Sequence, residues 1–279
     1  MYKVWGIIGD PVSHSLSPLM HNIAFRELNI KGVYGAFLVK KENLAQAIDG
    51  IKALDIQGIS VTIPHKESII PFLDEVDKVA LEIGAVNTVI NEGGKLKGYN
   101  TDWIGVLKAF EERNINLKDK KIVLIGAGGA SRAIIYALLK AHAKEIFVYN
   151  RTYEKALDLA NYFGVKAKPW DEIYEASGDI IIQATSVGLK SWDSPISEDV
   201  LKRFSVAMDI VYLPLKTKFL KLAEKYAITI DGLRMLLHQG VAQFKLFTGK
   251  DPPVKLMEKA LYEEIQKIEK DLKLGNKSN

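Results

Sequence analysis

Short apolar runs alternate with stretches of helical apolar spacing along most of the chain. Residues 4–9 read as a strand, 18–28 as a helix, 33–39 as a strand, 42–54 as a helix and 58–63 as a strand. A hairpin follows, its turn at 91–95, and then a connecting helix over 101–113. A second alternation starts near Lys121: strand 122–125, helix 130–139, strand 146–149, helix 153–163, then strands at 179–183, 206–210 and 228–230. After Asp231-Gly232 the pattern is wholly helical, over 233–248 and 254–272. Strand–helix alternation of this kind predicts an α/β protein whose parallel sheets carry helices on both faces. Two such regions in 279 residues predict two domains, 1–103 with 233–279 and 104–232, the C-terminal helices returning to the first. The polar end, 275–279, predicts disorder.

One turn in the second region has a chemistry of its own. Gly126-Ala127-Gly128-Gly129-Ala130-Ser131 follows the apolar run 121–125 and opens a helix, the context of a dinucleotide fingerprint. Glycine lets backbone approach a pyrophosphate, whose charge then sits on the helix N-terminus. The last fingerprint position is Ser131 rather than Gly or Ala, and a tight turn in some other α/β protein is the lesser alternative for the loop alone. The next strand ends in Asn150-Arg151-Thr152, where an NAD-binding fold has an acid for the ribose 2′-hydroxyl. An acid would repel a 2′-phosphate, whereas Arg and Thr bind one, so the segment favours NADP.

Composition narrows the setting. Hydrophobic residues are 48% and charged residues 26%, with no apolar run of membrane-spanning length, so a water-soluble protein with no membrane partner is expected. Residues 1–5 pass directly into a strand-like run, so no secretory leader is expected. Cysteine is absent, which excludes disulfides and thiolate catalysis and fits the cytoplasm. The five histidines lack metal-ligand spacing, and no metal is expected. Net charge is +4 and dispersed, which argues against nucleic acid and suits small anionic ligands.

Polar residues at predicted strand ends carry the candidate chemistry, because ligands of open α/β sheets bind beyond the carboxyl ends of strands. Ser17-Pro18 reads as a helix start with Ser17 as N-cap, and Ser15 and Ser17 would place two hydroxyls beside that terminus for a carboxylate. A cap and a turn residue are the equal alternative. Lys66, four residues beyond Thr62 at a strand end, is a general acid or base if burial or a partner tunes it, and otherwise a surface lysine. Asn87 could bond a hydroxyl or only end a strand. Asp102, at the hairpin exit, could be catalytic or a helix cap. Gln239 and Gln243 share one helix face, where Gln243 reads as solvated.

Taken together and in order, the segments 9–17, 61–66, 84–88, 98–102, 126–132, 150–152, 184–188, 209–216 and 231–249 resemble the shikimate dehydrogenase family over nearly the whole chain. The resemblance implies an N-terminal substrate domain, a Rossmann-type NADP-binding domain, and reversible NADPH-dependent reduction of 3-dehydroshikimate to shikimate in aromatic biosynthesis. It implies that Ser15 and Ser17 bind the substrate carboxylate, that Thr62, Asn87 and Gln239 contact the ring, and that Lys66 and Asp102 are the catalytic pair. Gly126, Ala127, Gly128, Gly129 and Ala130 would hold the pyrophosphate, and Asn150, Arg151 and Thr152 the 2′-phosphate. Tyr212 would line the site near the nicotinamide, although an aromatic that only packs is an equal reading. Two positions depart from the family pattern: Gln183 stands where Asn usually precedes Ala-Thr-Ser, and Leu213 where Asn often follows the Tyr. A quinate or dual-specificity dehydrogenase, or a non-catalytic NADP-binding sensor, are the alternatives, and the assembly state, a homodimer included, is open.

Overall fold

Strand β1 (Lys3–Gly9) is buried over its last five residues, and the chain builds outward from it. The computed structural model describes residues 2–275, so all of the polar tail but Gly275 lies outside the described residues. Two compact units emerge, Met1–Asp102 with Gln239–Asn279, and Trp103–His238.

In the first unit β1 is followed by α1 (Ser17–Glu27), β2 (Gly32–Leu38), α2 (Leu44–Ala53), β3 (Gly58–Val61), β4 (Glu75–Val76), α3 (Lys78–Ile83), β5 (Thr88–Glu92) and β6 (Lys95–Tyr99). The sheet order is β2-β1-β3-β5-β6-β4. It is mixed, not parallel throughout: β2, β1 and β3 run parallel, but β5 is antiparallel to both β3 and β6. A hairpin accounts for the antiparallel β5–β6 pair. Gly93 and Gly94 both have positive φ, 64° and 91°, the geometry of a two-residue turn that matches strand twist. Asn91 Oδ1 accepts from Gly94 N at 2.7 Å and fixes that turn. The strand read over 58–63 stops at Val61, because Thr62 begins a turn whose carbonyl accepts from His65 N.

The second unit holds α4 (Asp102–Glu111, its first residue in the first unit), β7 (Lys121–Ile125), α5 (Gly129–Lys140), β8 (Glu145–Tyr149), α6 (Tyr153–Phe163), β9 (Lys166–Lys168), β10 (Ile180–Gln183), α7 (Glu198–Leu201), β11 (Val206–Asp209), α8 (Lys218–Ala223) and β12 (Ile228–Ile230). Its strand order, β12-β11-β10-β7-β8-β9, is parallel throughout and is the doubly wound dinucleotide-binding order with its switch point between β7 and β10. Residues of β7 alternate between two cores, Ile122 and Leu124 packing with Ile134 and Leu138 of α5, Val123 and Ile125 with Phe219 and Leu220 of α8. Burial on both faces explains why the strand reads as a continuous apolar run.

Helices α9 (Gly232–Thr248) and α10 (Val254–Gly275) end the fold. The unit boundary falls inside α9 at Gln239 rather than at residue 233, because Met235 on its first turns packs in the second unit's core. The later part of α9 builds an aromatic layer in the first unit. His21 of α1 stacks on Tyr34 at 4.5 Å and lies parallel to Phe244 at 6.1 Å.

Burial pushes the His21 imidazole from 6.5 down to about 3, and both of its ring nitrogens are buried without a hydrogen-bond partner among the described residues. The unfolded chain therefore binds a proton that the folded chain refuses, and stability falls as pH drops from about 6.5 toward 3. Between pH 7 and pH 5 this one group is expected to cost about 2 kcal/mol. His21→Phe should remove that increment in denaturant melts at the two pH values. An equal drop in both proteins would show that His21 is not its source.

Candidate active site

Two loops meet at the carboxyl ends of β1 and β3. Thr62 N donates to Ile8 O at 3.0 Å and Asp10 N donates to Ile63 O at 2.9 Å, so the segments leaving these strands are stitched together. Ser15 and Ser17 lie on the first and half-buried Thr62 on the second. Ser17 is not an N-cap. It is the first helical residue of α1, Leu16 holds the cap position, and Ser17 N donates to Ser15 Oγ at 3.3 Å. Ser15 thus serves the helix start, while the buried Ser17 hydroxyl makes no capping bond.

The turn after β3 fixes Lys66. His65 is buried, with its Nε2 2.6 Å from Val39 O, and Ile69 N donates to His65 O at 2.9 Å. Lys66 O accepts from Val86 N at 2.7 Å. From this anchored backbone Lys66 Nζ donates to Asp102 Oδ2 at 2.6 Å, the two side chains being 16% and 5% exposed. The other carboxylate oxygen, Oδ1, accepts from Asn87 Nδ2 at 2.9 Å. Capping of α4 falls to Asn100, whose Oδ1 accepts from Asp102 N at 3.0 Å. Asp102 therefore sits at a helix start without spending its charge there. Desolvating an ion pair costs several kcal/mol per ion and is weak evidence of a purely stabilising role. A near-buried Lys–Asp pair at the carboxyl edge of a sheet is instead a candidate for proton chemistry.

Asn87 is the hub of this region. Its Nδ2 also donates to Thr101 Oγ1 at 2.9 Å and lies 3.4 Å from Gln239 Oε1, while its Oδ1 accepts from Thr101 N and Thr88 Oγ1, each at 2.8 Å. Gln243, read from the sequence as solvated, is buried: its Nε2 donates to Thr88 Oγ1 at 2.9 Å and its Oε1 accepts from Ser60 Oγ at 2.8 Å. The return of α9 to the first unit's sheet puts both glutamines inside. Thr88, Ser60 and Tyr34 escape a reading of the sequence because hydroxyls on strands look like ordinary strand positions, and Thr101 because it looks like a residue of the connection between β6 and α4.

In the second unit the glycine turn lies at the switch point. Gly126 has φ of 117°, its N donates to Tyr149 O at 2.8 Å, and a Cβ there would come within 2.9 Å of Ala184 O. A Cβ on Gly128 would meet no protein atom, so packing within the protein does not explain that glycine. Gly128 is the N-cap of α5 and supplies no capping side chain, which leaves the first-turn amides of Gly129, Ala130 and Ser131 for an anion, with Ala127 beside them in the loop. The bond from Gly126 to Tyr149 brings this turn beside Asn150, Arg151 and Thr152. Arg151 and Thr152 are exposed, Asn150 Nδ2 donates to Thr152 O at 2.8 Å, and the Thr152 hydroxyl makes no capping bond to α6.

Gln183, one of the two departures, is fully buried. Its Oε1 accepts from Thr185 N, and its Nε2 donates to Val187 O at 2.9 Å and lies 3.3 Å from Asp209 Oδ1. Asp209 also accepts from Thr217 Oγ1 at 2.7 Å and Val211 N at 2.9 Å, and burial pushes its carboxyl up to about 7. These bonds tie the loops after β10 and β11 together. Tyr212, half-buried, lies on the second of them, next to Leu213.

Comparison with known proteins follows the same division. The model of the shikimate dehydrogenase substrate-binding domain matches residues 7–89, that of shikimate/quinate 5-dehydrogenase matches 108–236, and that of the shikimate 5′-dehydrogenase C-terminal domain matches 232–262. A shikimate dehydrogenase (NADP+) of Thermococcus kodakarensis is 47% identical over 268 residues, spanning 94% of this chain and 97% of its own length. A crystal structure of a shikimate dehydrogenase with NADP+ superposes with a TM-score of 0.87 at 46% identity, covering 95% of this chain and 96% of the other. The Thermus thermophilus shikimate 5-dehydrogenase, solved with NADP(H) and shikimate, gives 0.85 at 38% identity over 94% and 99% of the two chains. With this identity and coverage over both units, the chain belongs to the shikimate dehydrogenase family.

Proposed function

We propose that the protein is an NADP-dependent shikimate dehydrogenase, an oxidoreductase that reversibly reduces 3-dehydroshikimate to shikimate in aromatic biosynthesis, with Lys66 and Asp102 as its catalytic pair. The observation that carries this is the 2.6 Å Lys66–Asp102 ion pair, near-buried at a sheet edge that also carries two serines and a threonine. Reduction of a carbonyl needs a hydride, a proton, and stabilisation of the oxygen as charge develops on it. NADPH, when bound, supplies the hydride. The Lys66 ammonium stabilises the oxygen and gives it the proton; in the oxidation direction the neutral amine takes the proton from the hydroxyl. Asp102 holds Lys66 in place through Oδ2 and is itself held by Asn87.

The substrate carries one carboxylate and several hydroxyls. Ser15 and Ser17, near the start of α1, take the carboxylate. Thr62 and Gln239 take hydroxyls. Asn87, whose amide already serves Asp102, Thr101 and Thr88, acts chiefly by holding the pair. Tyr212 packs near the nicotinamide. We assign residues 1–103 with the C-terminal helices to substrate and 104–232 to cofactor. The bare Gly128, the uncapped start of α5 and the exposed Arg151 suit NADP: Gly126 to Ala130 hold the pyrophosphate, and Asn150, Arg151 and Thr152 the 2′-phosphate. A chain without cysteine, and no described helix long and apolar enough to cross a membrane, suit work in the cytoplasm.

The test is an assay of the purified protein with shikimate or quinate, each with NADP+ or NAD+. Turnover should be highest with shikimate and NADP+. Preference for quinate would make it the quinate enzyme, and NADP binding without turnover a sensor. Arg151→Ala should weaken NADPH binding by about 1–3 kcal/mol, the worth of a charge-assisted contact, and leave NADH binding nearly unchanged. Equal losses for both would remove Arg151 from the 2′-phosphate site.

A further inference from the structure

Asp102 stands at the end of a buried chain of hydrogen bonds that starts at Tyr34 on β2. Tyr34 OH donates to Ser60 Oγ at 2.5 Å, and Ser60 Oγ donates to Gln243 Oε1 at 2.8 Å. Gln243 Nε2 donates to Thr88 Oγ1 at 2.9 Å, and Thr88 Oγ1 donates to Asn87 Oδ1 at 2.8 Å. Asn87 Nδ2 donates to Asp102 Oδ1, which leaves Oδ2 for Lys66. Tyr34, Ser60, Thr88, Asn87 and Gln243 are all 3% exposed or less.

The direction of this chain is fixed by two backbone groups. Gln243 Nε2 also lies 3.1 Å from Asn87 O, a carbonyl that can only accept. Its amide nitrogen must therefore face Asn87 and Thr88, and its oxygen must face Ser60. Ser60 then has to donate to Gln243, and its remaining capacity is to accept from Tyr34. Burial holds the Tyr34 phenol well above its ordinary value, so it stays an O–H donor. At the other end, Thr101 N, which can only donate, lies 2.8 Å from Asn87 Oδ1. The Asn87 oxygen is thereby turned toward Thr101 and Thr88, and its nitrogen toward Asp102. Thr88, already accepting from Gln243, must donate to Asn87. Every bond thus points its donor toward Asp102, and successive bonds of one sense reinforce one another.

We propose that Thr88, Gln243, Ser60 and Tyr34 are positioning residues for the Lys66–Asp102 pair, acting through Asn87 to hold the carboxylate in the rotamer that presents Oδ2 to Lys66. None of the four is assigned to substrate or cofactor. Their work is to lock the groups that lock the pair, where displacement of a reacting group by a fraction of an ångström already lowers turnover. The proposal rests on reading Lys66 and Asp102 as the catalytic pair.

Thr88→Val tests it, because the change keeps shape and β-branching and removes only the hydroxyl. In shikimate oxidation, kcat is expected to fall about 3–10-fold, the worth of one net hydrogen bond, with KM for shikimate changed less than about twofold. Thr88→Ser, which keeps the hydroxyl, should restore kcat. In an Asp102→Asn background, Thr88→Val should lower turnover no further, whereas a general loosening of the fold would lower it again. Wild-type kcat in Thr88→Val, a rise in KM alone, or an equal loss in the Asp102→Asn background would overturn the proposal. Should Thr88→Val fail to fold, Gln243→Met interrupts the chain one bond earlier and is read in the same way. Asp102→Asn by itself separates the two claims. Undiminished turnover there overturns the catalytic pair and this proposal with it, whereas impaired turnover there beside a normal Thr88→Val overturns the positioning chain alone.

Discussion

Lys66→Ala is expected to lower the turnover of shikimate by roughly 10²–10⁴-fold, the usual contribution of a positioned general acid or base. The substitution removes the proton donor and the cation facing the developing oxyanion together. NADPH affinity should change little, since the proposed cofactor contacts, the turn at Gly126 to Ala130 and the Arg151 segment, belong to the other unit. The change also strips Asp102, 4% exposed, of its counter-ion, so a loss of stability is expected and turnover must be compared below each variant's Tm. Lys66→Arg separates the two roles of the ammonium. It retains a cation for Asp102, but a guanidinium does not give up its proton in a protein. This variant should keep its stability and still lose most of its turnover. Near-normal rates in either variant would take Lys66 out of the reaction.

The second unit is the more legible in the sequence, for a physical reason. Its central strands β7, β10 and β11 are buried on both faces and read as apolar runs, such as residues 122–125, and glycines stand where backbone conformation demands them. The short elements β9, α7 and α8 are not legible. Three to six residues hold too few turns or alternations to give a period. In the first unit the hairpin is legible from its turn, but not the antiparallel pairing of β5 with β3, which also makes the sheet mixed. Strand order is decided by contacts between segments far apart in sequence, and no local pattern encodes it.

Legibility of the site divides in the same way. Gly126, Gly128 and Arg151 belong to motifs whose chemistry lies in neighbouring residues, and they can be found locally. Lys66 and Asp102 lie 36 residues apart and look, one at a time, like a surface lysine and a helix cap. Only the fold brings them to 2.6 Å. Ser17 shows the converse. Ser before Pro looks like an N-cap, yet the helix starts at Ser17 itself, so a strong local preference is overridden by the path of the loop. Gln243 misleads because a polar residue four positions from another suggests a solvated stripe, whereas α9 turns that face onto a buried row of hydroxyls.

Asp102→Asn should also reduce turnover by about 10²-fold or more, the scale of a lost catalytic acid–base group. The geometry shows why the nearly isosteric change is not tolerated. Lys66 Nζ and Asn87 Nδ2 are both donors and address the two carboxylate oxygens separately. An amide presents one oxygen and one NH₂ group, so whichever way the new side chain turned, one donor would face another. Asn87 cannot flip to relieve the clash, because Thr101 N holds its oxygen. Lys66 would lose either its partner or its orientation, and with it the placement of the proton. The double variant Lys66→Ala with Asp102→Asn is then expected to lose less than the product of the single losses, since residues that act as a unit are lost together. Single-turnover rates of NADP+ reduction by shikimate in the four proteins measure this directly. Fully multiplicative losses would show that Lys66 and Asp102 contribute independently, and that the 2.6 Å bond between them is structural rather than part of the reaction.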